Sequence, residues 1–367
     1  GPDAALTPFA IDPNPLPDTA VYSLEFALAQ DEFLVVWARK TGGAFREATY
    51  GRRIRADGSG FPASTFPLAS HATDNRMDPD VAYNLQRNEY LVTVDDHPKV
   101  NEDIYGVRLT ASGTVLGGGE FGIAGWPDDE QGAAVAACPT GDQYLAAWHS
   151  IQIQANTDGL YARFVAGNGS PGAVVQLAHY DFLEWHRSID AACGVTNQLL
   201  QAPRYLVAWA KYPTPPHGSC QAREVFSNGD MGDPVQITQH CRDVAVAGGA
   251  MNHLVVFEQS GHISARIVGN TRPEASFTVT PQEGDSTTVF QFDASGSTDA
   301  TDDPGHLQVR WDWDNNDVYD TAWSSSKTAS HQFSLADWQS QAVYIVQLQV
   351  TDGHGASCLL YTSDAAD

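Results

Sequence analysis

One apolar line recurs five times along the chain: an aromatic residue or His, then Leu, two small or β-branched residues, and a bulky residue. It reads FLVVW at Phe33–Trp37, YLVTV at Tyr90–Val94, YLAAW at Tyr144–Trp148, YLVAW at Tyr205–Trp209 and HLVVF at His253–Phe257, in steps of 57, 54, 61 and 48 residues. Such near-continuous apolar runs predict strands buried on both faces. After a loop of variable length, each run is followed by a second strand. One column of that strand is small (Gly51, Gly106, Ala162, Ala222, Ala265), and the next is Arg in four repeats (Arg52, Arg163, Arg223, Arg266), with Val107 the exception. Gly-bearing turns at Asp57-Gly58, Ser112-Gly113, Asn168-Gly169 and Asn228-Gly229 close hairpins onto a third strand. A short strand such as DVAYN (Asp80–Asn84) or DVAVA (Asp243–Ala247) precedes the apolar run. Four strands per repeat, repeated radially, predict a β-propeller of five blades over residues 1–269. The fifth repeat stops at Gly269 without an outer strand, and Leu6–Ile11 resembles the missing piece. Closure by that N-terminal strand is expected, because a row of open sheet edges invites aggregation. The alternative is a larger ring whose first blades precede residue 1.

After Asn270-Thr271-Arg272-Pro273 the pattern changes to alternation with period two, in ASFTVT, VFQFDASGSTD, VRWDWDNNDVYDT and YIVQLQVTDGHG. This predicts a small antiparallel sandwich of the immunoglobulin class over residues 270–357. Its segments resemble a polycystic-kidney-disease (PKD) domain: the FDASGSTD turn, the W-D-W-D strand, the His331-Gln332-Phe333 segment and the V-T-D-G-H-G end fall in that family's order. Asn315-Asn316 stands where the family has a Gly-bearing turn. The resemblance implies an extracellular or cell-surface module that acts as a spacer or a protein- or glycan-contacting unit. The propeller repeats look like those found beside such modules in large secreted bacterial proteins. The last ten residues, CLLYTSDAAD, look like a translated sequencing adapter, so residues 358–367 are expected to be a non-native tail outside the fold. The chain then reads as a fragment, with Gly1 a cut.

Charge narrows the partners. With 20 Lys and Arg against 45 Asp and Glu, the formal charge is −25. A chain so acidic lacks the basic face that nucleic-acid phosphates or anionic lipids require. Hydrophobic residues make up 42%, enough for packed cores. No apolar run reaches the ~18 residues that span a membrane. Setting aside Cys358, the cysteines are Cys138, Cys193, Cys220 and Cys241, with no C-x-x-C pair to suggest a thiolate zinc site. Cys220 and Cys241 flank one hairpin and are expected to form a disulfide, implying an oxidising compartment. Cys138 and Cys193, on inner strands of neighbouring blades, are expected to be buried free thiols.

The loops before the innermost strands and after the second strands share one rim. They carry Asp95, Asp96, His97, Trp126, Asp128, His149, Tyr180, Trp185, His186 and Tyr212, a mixture suited to a glycan- or peptide-binding face. A glycosidase needs two facing carboxylates, for which Asp80, Asp190 and Asp243 are the candidates. Their repetition argues instead for turn caps or partners of the Arg column. No G-x-S-x-G elbow, H-E-x-x-H pair, Walker loop or sialidase box occurs. Asp312, Asp314 and Asp317 begin a possible calcium loop, although Trp323 occupies its twelfth position, so it is not an EF-hand. The reading is therefore an all-β chain, a five-bladed β-propeller followed by an immunoglobulin-like sandwich. Its expected function is that of a secreted or cell-envelope, non-enzymatic binding or adhesion protein. Its expected partner is an extracellular glycan or protein, bound by a monomer without cofactor, calcium aside. The alternative is a propeller glycoside hydrolase or lyase with an accessory sandwich.

Overall fold

The computed structural model describes residues 10–11, 22–40, 47–70, 74–97, 101–151, 158–179, 185–194, 203–212, 218–249, 252–269, 272–299, 304–334, 342–352 and 357–362, the side chains of 22, 185–187 and 212 excepted. The chain divides into two compact units, Gly1–Ile267 and Val268–Asp367.

In the first unit every apolar run becomes the second strand of a sheet. Blade 1 holds β1 (Tyr22–Ala27), β2 (Glu32–Lys40), β3 (Glu47–Arg55) and β4 (Phe66–Ala69). Blade 2 holds β5 (Asn75–Asn84), β6 (Glu89–His97), β7 (Ile104–Thr110) and β8 (Val115–Ala124). Blade 3 holds β9 (Asp129–Ala137), β10 (Gln143–Ile151), β11 (Gly159–Ala166) and β12 (Pro171–His179). Blade 4 holds β13 (Trp185–Gly194), β14 (Arg204–Tyr212), β15 (Gly218–Phe226) and β16 (Val235–Cys241). Blade 5 holds β17 (Val244–Gly248), β18 (Asn252–Gln259) and β19 (His262–Gly269). Strands follow chain order across each sheet, and the innermost strands neighbour one another in the series β1, β5, β9, β13, β17. The unit is a five-bladed β-propeller. Tyr144 through Trp148 on β10 are wholly buried, because an inner blade has a neighbour on both faces. The hairpin glycines Gly58, Gly113, Gly169 and Gly229 take φ of 71°, 88°, 91° and 92°, the left-handed conformation that these turns require. The small column on the third strand is steric. A Cβ at Gly106 would stand 2.6 Å from Phe121 Cζ of the outer strand.

The Arg column does not pair with the repeated Asp residues. Instead each Arg reaches across to a backbone carbonyl on the outer strand of the preceding blade. Arg163 donates to Ile123 O (2.5 Å), Arg223 to Leu177 O (2.7 Å) and Arg266 to Gln236 O (2.7 Å) and Ile237 O (3.2 Å). Arg52 of blade 1 donates to Ile11 O. Ile11 thus stands to blade 1 as Ile123, Leu177 and Ile237 stand to blades 3, 4 and 5. It packs there against Val35, Trp37 and Ile54. Of the expected closing strand Leu6–Ile11, residues 6–9 lie outside the described residues.

Two disulfides brace the propeller. Cys220 and Cys241 are bonded as expected, with Cα atoms 5.8 Å apart. The expectation of free thiols at Cys138 and Cys193 is corrected: they form a disulfide between blades 3 and 4, with Cα atoms 5.2 Å apart. Neighbouring blades converge at their innermost strands, which brings β9 and β13 within bridging reach.

The second unit is a sandwich of two three-stranded antiparallel sheets. One orders β20 (Thr278–Thr280), β21 (Phe290–Asp293) and β23 (Thr328–His331); the other orders β22 (Gln308–Asp312), β24 (Gln347–Thr351) and β25 (Ser357–Tyr361). Trp311 and Trp313, two apart, both point inward; their rings stack at 5.3 Å over Phe292, Val309, Leu348 and Val350. The left-handed conformations at this turn are taken by Asn315 (φ 54°) and Asp317 (φ 65°), residues that tolerate them. The expectation that residues 358–367 stand outside the fold is corrected for their first part. Cys358 pairs with Val350 and Leu360 with Leu348, because the β24 edge accepts any chain of sufficient β-propensity.

Candidate functional site

Register assigns one position on each innermost strand to the same level of the propeller. Opposite Val36, Thr93, Ala147, Ala208 and Val256 of the second strands stand Ser23, Asp80, Ala134, Asp190 and Ala245. Two of five blades therefore carry a carboxylate at this level, and three do not. Asp243 is not among them. It precedes β17, is exposed, and its backbone carbonyl accepts the Glu258 N–H (3.2 Å). The sequence grouped it with Asp80 because DVAVA mimics DVAYN. The register of the hairpin places it two residues off the level.

Asp80 and Asp190 repeat one motif. Asp80 accepts Val81 N–H (2.9 Å) and the N–H of Val135 on the next blade (2.7 Å). Asp190 accepts Ala191 N–H (2.8 Å) and the N–H of Val246 on the next blade (2.6 Å). The Ser23 hydroxyl adds a third donor to Asp80 at 2.6 Å. Both residues are partly buried. Burial, then the nearby Asp80 charge, pushes Asp190 up to about 7. The same two causes push Glu25 up to about 7. Glu25 lies two residues beyond Ser23 on β1 and so on the same face. Burial raises Asp80 as well, against the pull of its three donors. Three carboxyls from blades 1, 2 and 4, each raised first by burial, thus share one electrostatic site. Sequence reading missed Glu25, whose only signal was its two-residue step from the Ser23 level.

Three of the expected rim residues are buried. Asp95, Asp96 and His149 are 1%, 5% and 4% exposed, so they are not offered to a ligand on an open face. Asp95 accepts Gly132 N–H (2.6 Å) and Ala133 N–H (3.4 Å), tying blade 2 to blade 3. Asp96 accepts Asp103 N–H (2.8 Å) and lies 3.6 Å from Arg76. Trp126 packs edge-on against Trp148 and Tyr161. Asp128 is half-buried. Trp185 pairs with Tyr212 and His186 with Lys211 along the backbone, and Tyr180 lies outside the described residues. Glu130, missed by sequence reading, is wholly buried and accepts Trp126 N–H (3.1 Å); burial pushes it up to about 8.

Two groups place three metal-binding side chains together among the described residues. In the sandwich, Asp312, Asp314 and Asp320 bring one oxygen each to within 4.8 Å of one another. Asp317 is not a member. Its N–H donates to Asp312 (2.9 Å), as do those of Asp314 and Asn316 (3.3 Å each). In the propeller the group is Asp78, Asp95 and His97.

No protein-family model matches the chain, and no curated protein does. Solved structures with a similar fold include an α-L-arabinofuranosidase from Fusarium graminearum, 12% identical, matched over 75% of this chain and 88% of that one (TM-score 0.46). A Penicillium chrysogenum α-L-arabinanase is 12% identical over 77% and 90% (TM-score 0.45). An N-acetylgalactosamine deacetylase from F. plautii is 8% identical over 68% and 88% (TM-score 0.43). The likeness is one of fold. These proteins are enzymes acting on carbohydrate, and against that finding the expectation of a non-enzymatic binding protein does not stand.

Proposed function

We propose that the propeller is a glycoside hydrolase whose reaction is run by Glu25, Asp80 and Asp190. The observation that carries this reading is that Glu25 and Asp190, on different blades, are both raised by burial and then by the same neighbour, Asp80. Glycoside cleavage asks for one protonated and one ionised carboxyl at the same pH. Asp190 has two backbone donors that favour its ionised form, and it serves as the base that activates water. Glu25 serves as the general acid, giving its proton to the glycosidic oxygen as the C–O bond breaks. Burial, with Asp80 nearby, holds both near neutral pH. The reading is supported further by the unequal occupancy of the level: catalysis needs unmatched residues, and Ser23, Ala134 and Ala245 break the repetition.

The test is hydrolysis of a panel of polysaccharides and aryl glycosides, arabinan among them. Wild type is expected to cleave at least one, with a bell-shaped rate profile centred near pH 7. E25Q and D190N are each expected to lose about 10²–10⁴-fold in rate with an unchanged melting temperature. Cleavage that survives both substitutions, or no cleavage of any glycoside, overturns the assignment.

We further infer that the sandwich is a PKD-like spacer, that the chain acts outside the cytoplasm, as two disulfides support, and that calcium binds Asp312, Asp314 and Asp320. Calcium is expected to raise the melting temperature of the sandwich, and D320N to abolish that rise; no calcium-dependent shift removes the inference.

A further inference from the structure

We propose that Asp78, Asp95 and His97 bind one zinc ion on blade 2, a site separate from the three carboxyls assigned to glycoside cleavage. Asp95 and His97 are two residues apart on β6 and so share a face. The ladder between β5 and β6 slips between Met77 and Asp80, and within this bulge Asp78 takes φ 44°. A bulge re-aims a side chain, and here it brings Asp78 to the end of β6. One ligand atom from each of the three lies within 4.8 Å of the others.

The imidazole argues for a transition metal. Carboxylates alone suit calcium or magnesium, whereas a set that includes imidazole suits zinc. His97 Nδ1 lies 2.5 Å from Glu102 Oε1, which leaves Nε2 as the free ring nitrogen. A carboxylate that holds the far nitrogen is the usual means by which a metal-binding His is oriented. Asp95 is likewise held from behind, by Gly132 N–H and Ala133 N–H of blade 3. Each donor therefore has its own anchor: a backbone bulge for Asp78, blade-3 amides for Asp95, Glu102 for His97. Asp95 is 1% exposed, whereas Asp78 and His97 keep solvent access, so an ion can enter from their side. Three protein ligands with an open fourth position is the coordination of reactive zinc rather than of closed structural zinc.

The experiment is calorimetric titration of the full chain, stripped with EDTA, with Zn2+ and in parallel with Ca2+. Wild type is expected to take up one Zn2+ per chain, and cobalt substitution to give the visible spectrum of an imidazole-bound ion. D78N and H97A are expected to abolish this uptake, and E102Q to weaken it about 10–100-fold. D320N is expected to leave it unchanged, and the melting temperature checks that each variant is folded. No stoichiometric Zn2+ uptake by wild type, uptake unaltered in D78N and H97A, or tighter binding of Ca2+ than Zn2+ at this site each overturns the proposal. A simple His–carboxylate ion pair gives the first of these results. The readout is independent of glycoside cleavage, so either proposal can fail alone.

Discussion

In the propeller, Glu25 and Asp190 hold their protons up to about pH 7, and Asp95 and Glu130 up to about pH 8. In the sandwich, Asp285 and Asp293 sit at exposed turns and ionise below the ordinary carboxylate range. Donors two or three residues onward, Thr287 and Thr288 for the first and Ser295 for the second, favour their charged forms. The contrast is one of distance along the chain. A turn carboxylate finds its donors locally and stays in water. Asp80, Asp95 and Asp190 each take a donor from the next blade, as Asp80 does at Val135, and lose water in reaching it. The first kind punctuates a loop. The second ties blades together and acquires an acidity suited to chemistry near neutral pH.

The sharpest way to separate the two units is to remove an inter-blade tie. C138A/C193A is expected to destabilise the propeller by about 2–5 kcal/mol and to leave the sandwich transition in place, as differential scanning calorimetry can show. A shift of both transitions together breaks the comparison.

Proton linkage should move the units in opposite directions. A carboxyl raised in the folded state binds its proton more tightly there, so the propeller is expected to lose stability as pH rises from about 5 to 8, by up to ~1.4 kcal/mol per pH unit per group. His253 opposes this. Burial lowers it to about 4, so its contribution falls as pH drops from about 6.5 towards 4. The raised carboxyls outnumber this one lowered His, which keeps the net sign above pH 5. In the sandwich, Asp285 and Asp293 are lowered, so their contribution is present above the ordinary carboxylate range and is lost as acid protonates them. Melting temperatures followed from pH 3 to 8 test this, and parallel curves for the two units refute it.

A smaller effect is expected at the Arg column. R163M removes the hydrogen bond to Ile123 O and should cost about 1.5–3 kcal/mol in denaturant unfolding of the propeller. D293N is expected to have the smallest effect, since an amide oxygen can still accept the Ser295 N–H. It should mainly flatten the acid-side loss in the sandwich.

Much of this architecture was legible in the residues. The five apolar runs, the Gly turns and the small column are local features, and each became the strand, turn or close approach that its residue types favour. Asp80 and Asp190 were visible as candidates because each precedes an apolar run. Asp243 looked identical and was not, because a strand's register depends on its hairpin, and the β17–β18 hairpin aligns Ala245 where DVAVA suggested Asp243. Glu25, Asp78, Glu102 and Glu130 carried no motif. Each owes its role to a neighbour that a loop, a bulge or an adjoining blade supplied.

By itself the sequence determined the strand repeat, the number of blades and the change to a sandwich after residue 269. Those follow from periodicity, which the chain reads over a few residues at a time. Only the tertiary structure decided which cysteines join, which carboxyls share a field, and which side chains of an apolar run are covered. Leu206 is wholly buried and Leu254 is 39% exposed at the same place in the repeated apolar run, because Leu206 lies between two blades, whereas among the described residues blade 5 has a neighbour on one face. Cys138 meets Cys193, and Asp190 meets Val246, across separations of 55 and 56 residues. Contacts one repeat apart exist only once the blades have packed, since the loops between them vary in length and leave no fixed spacing to read.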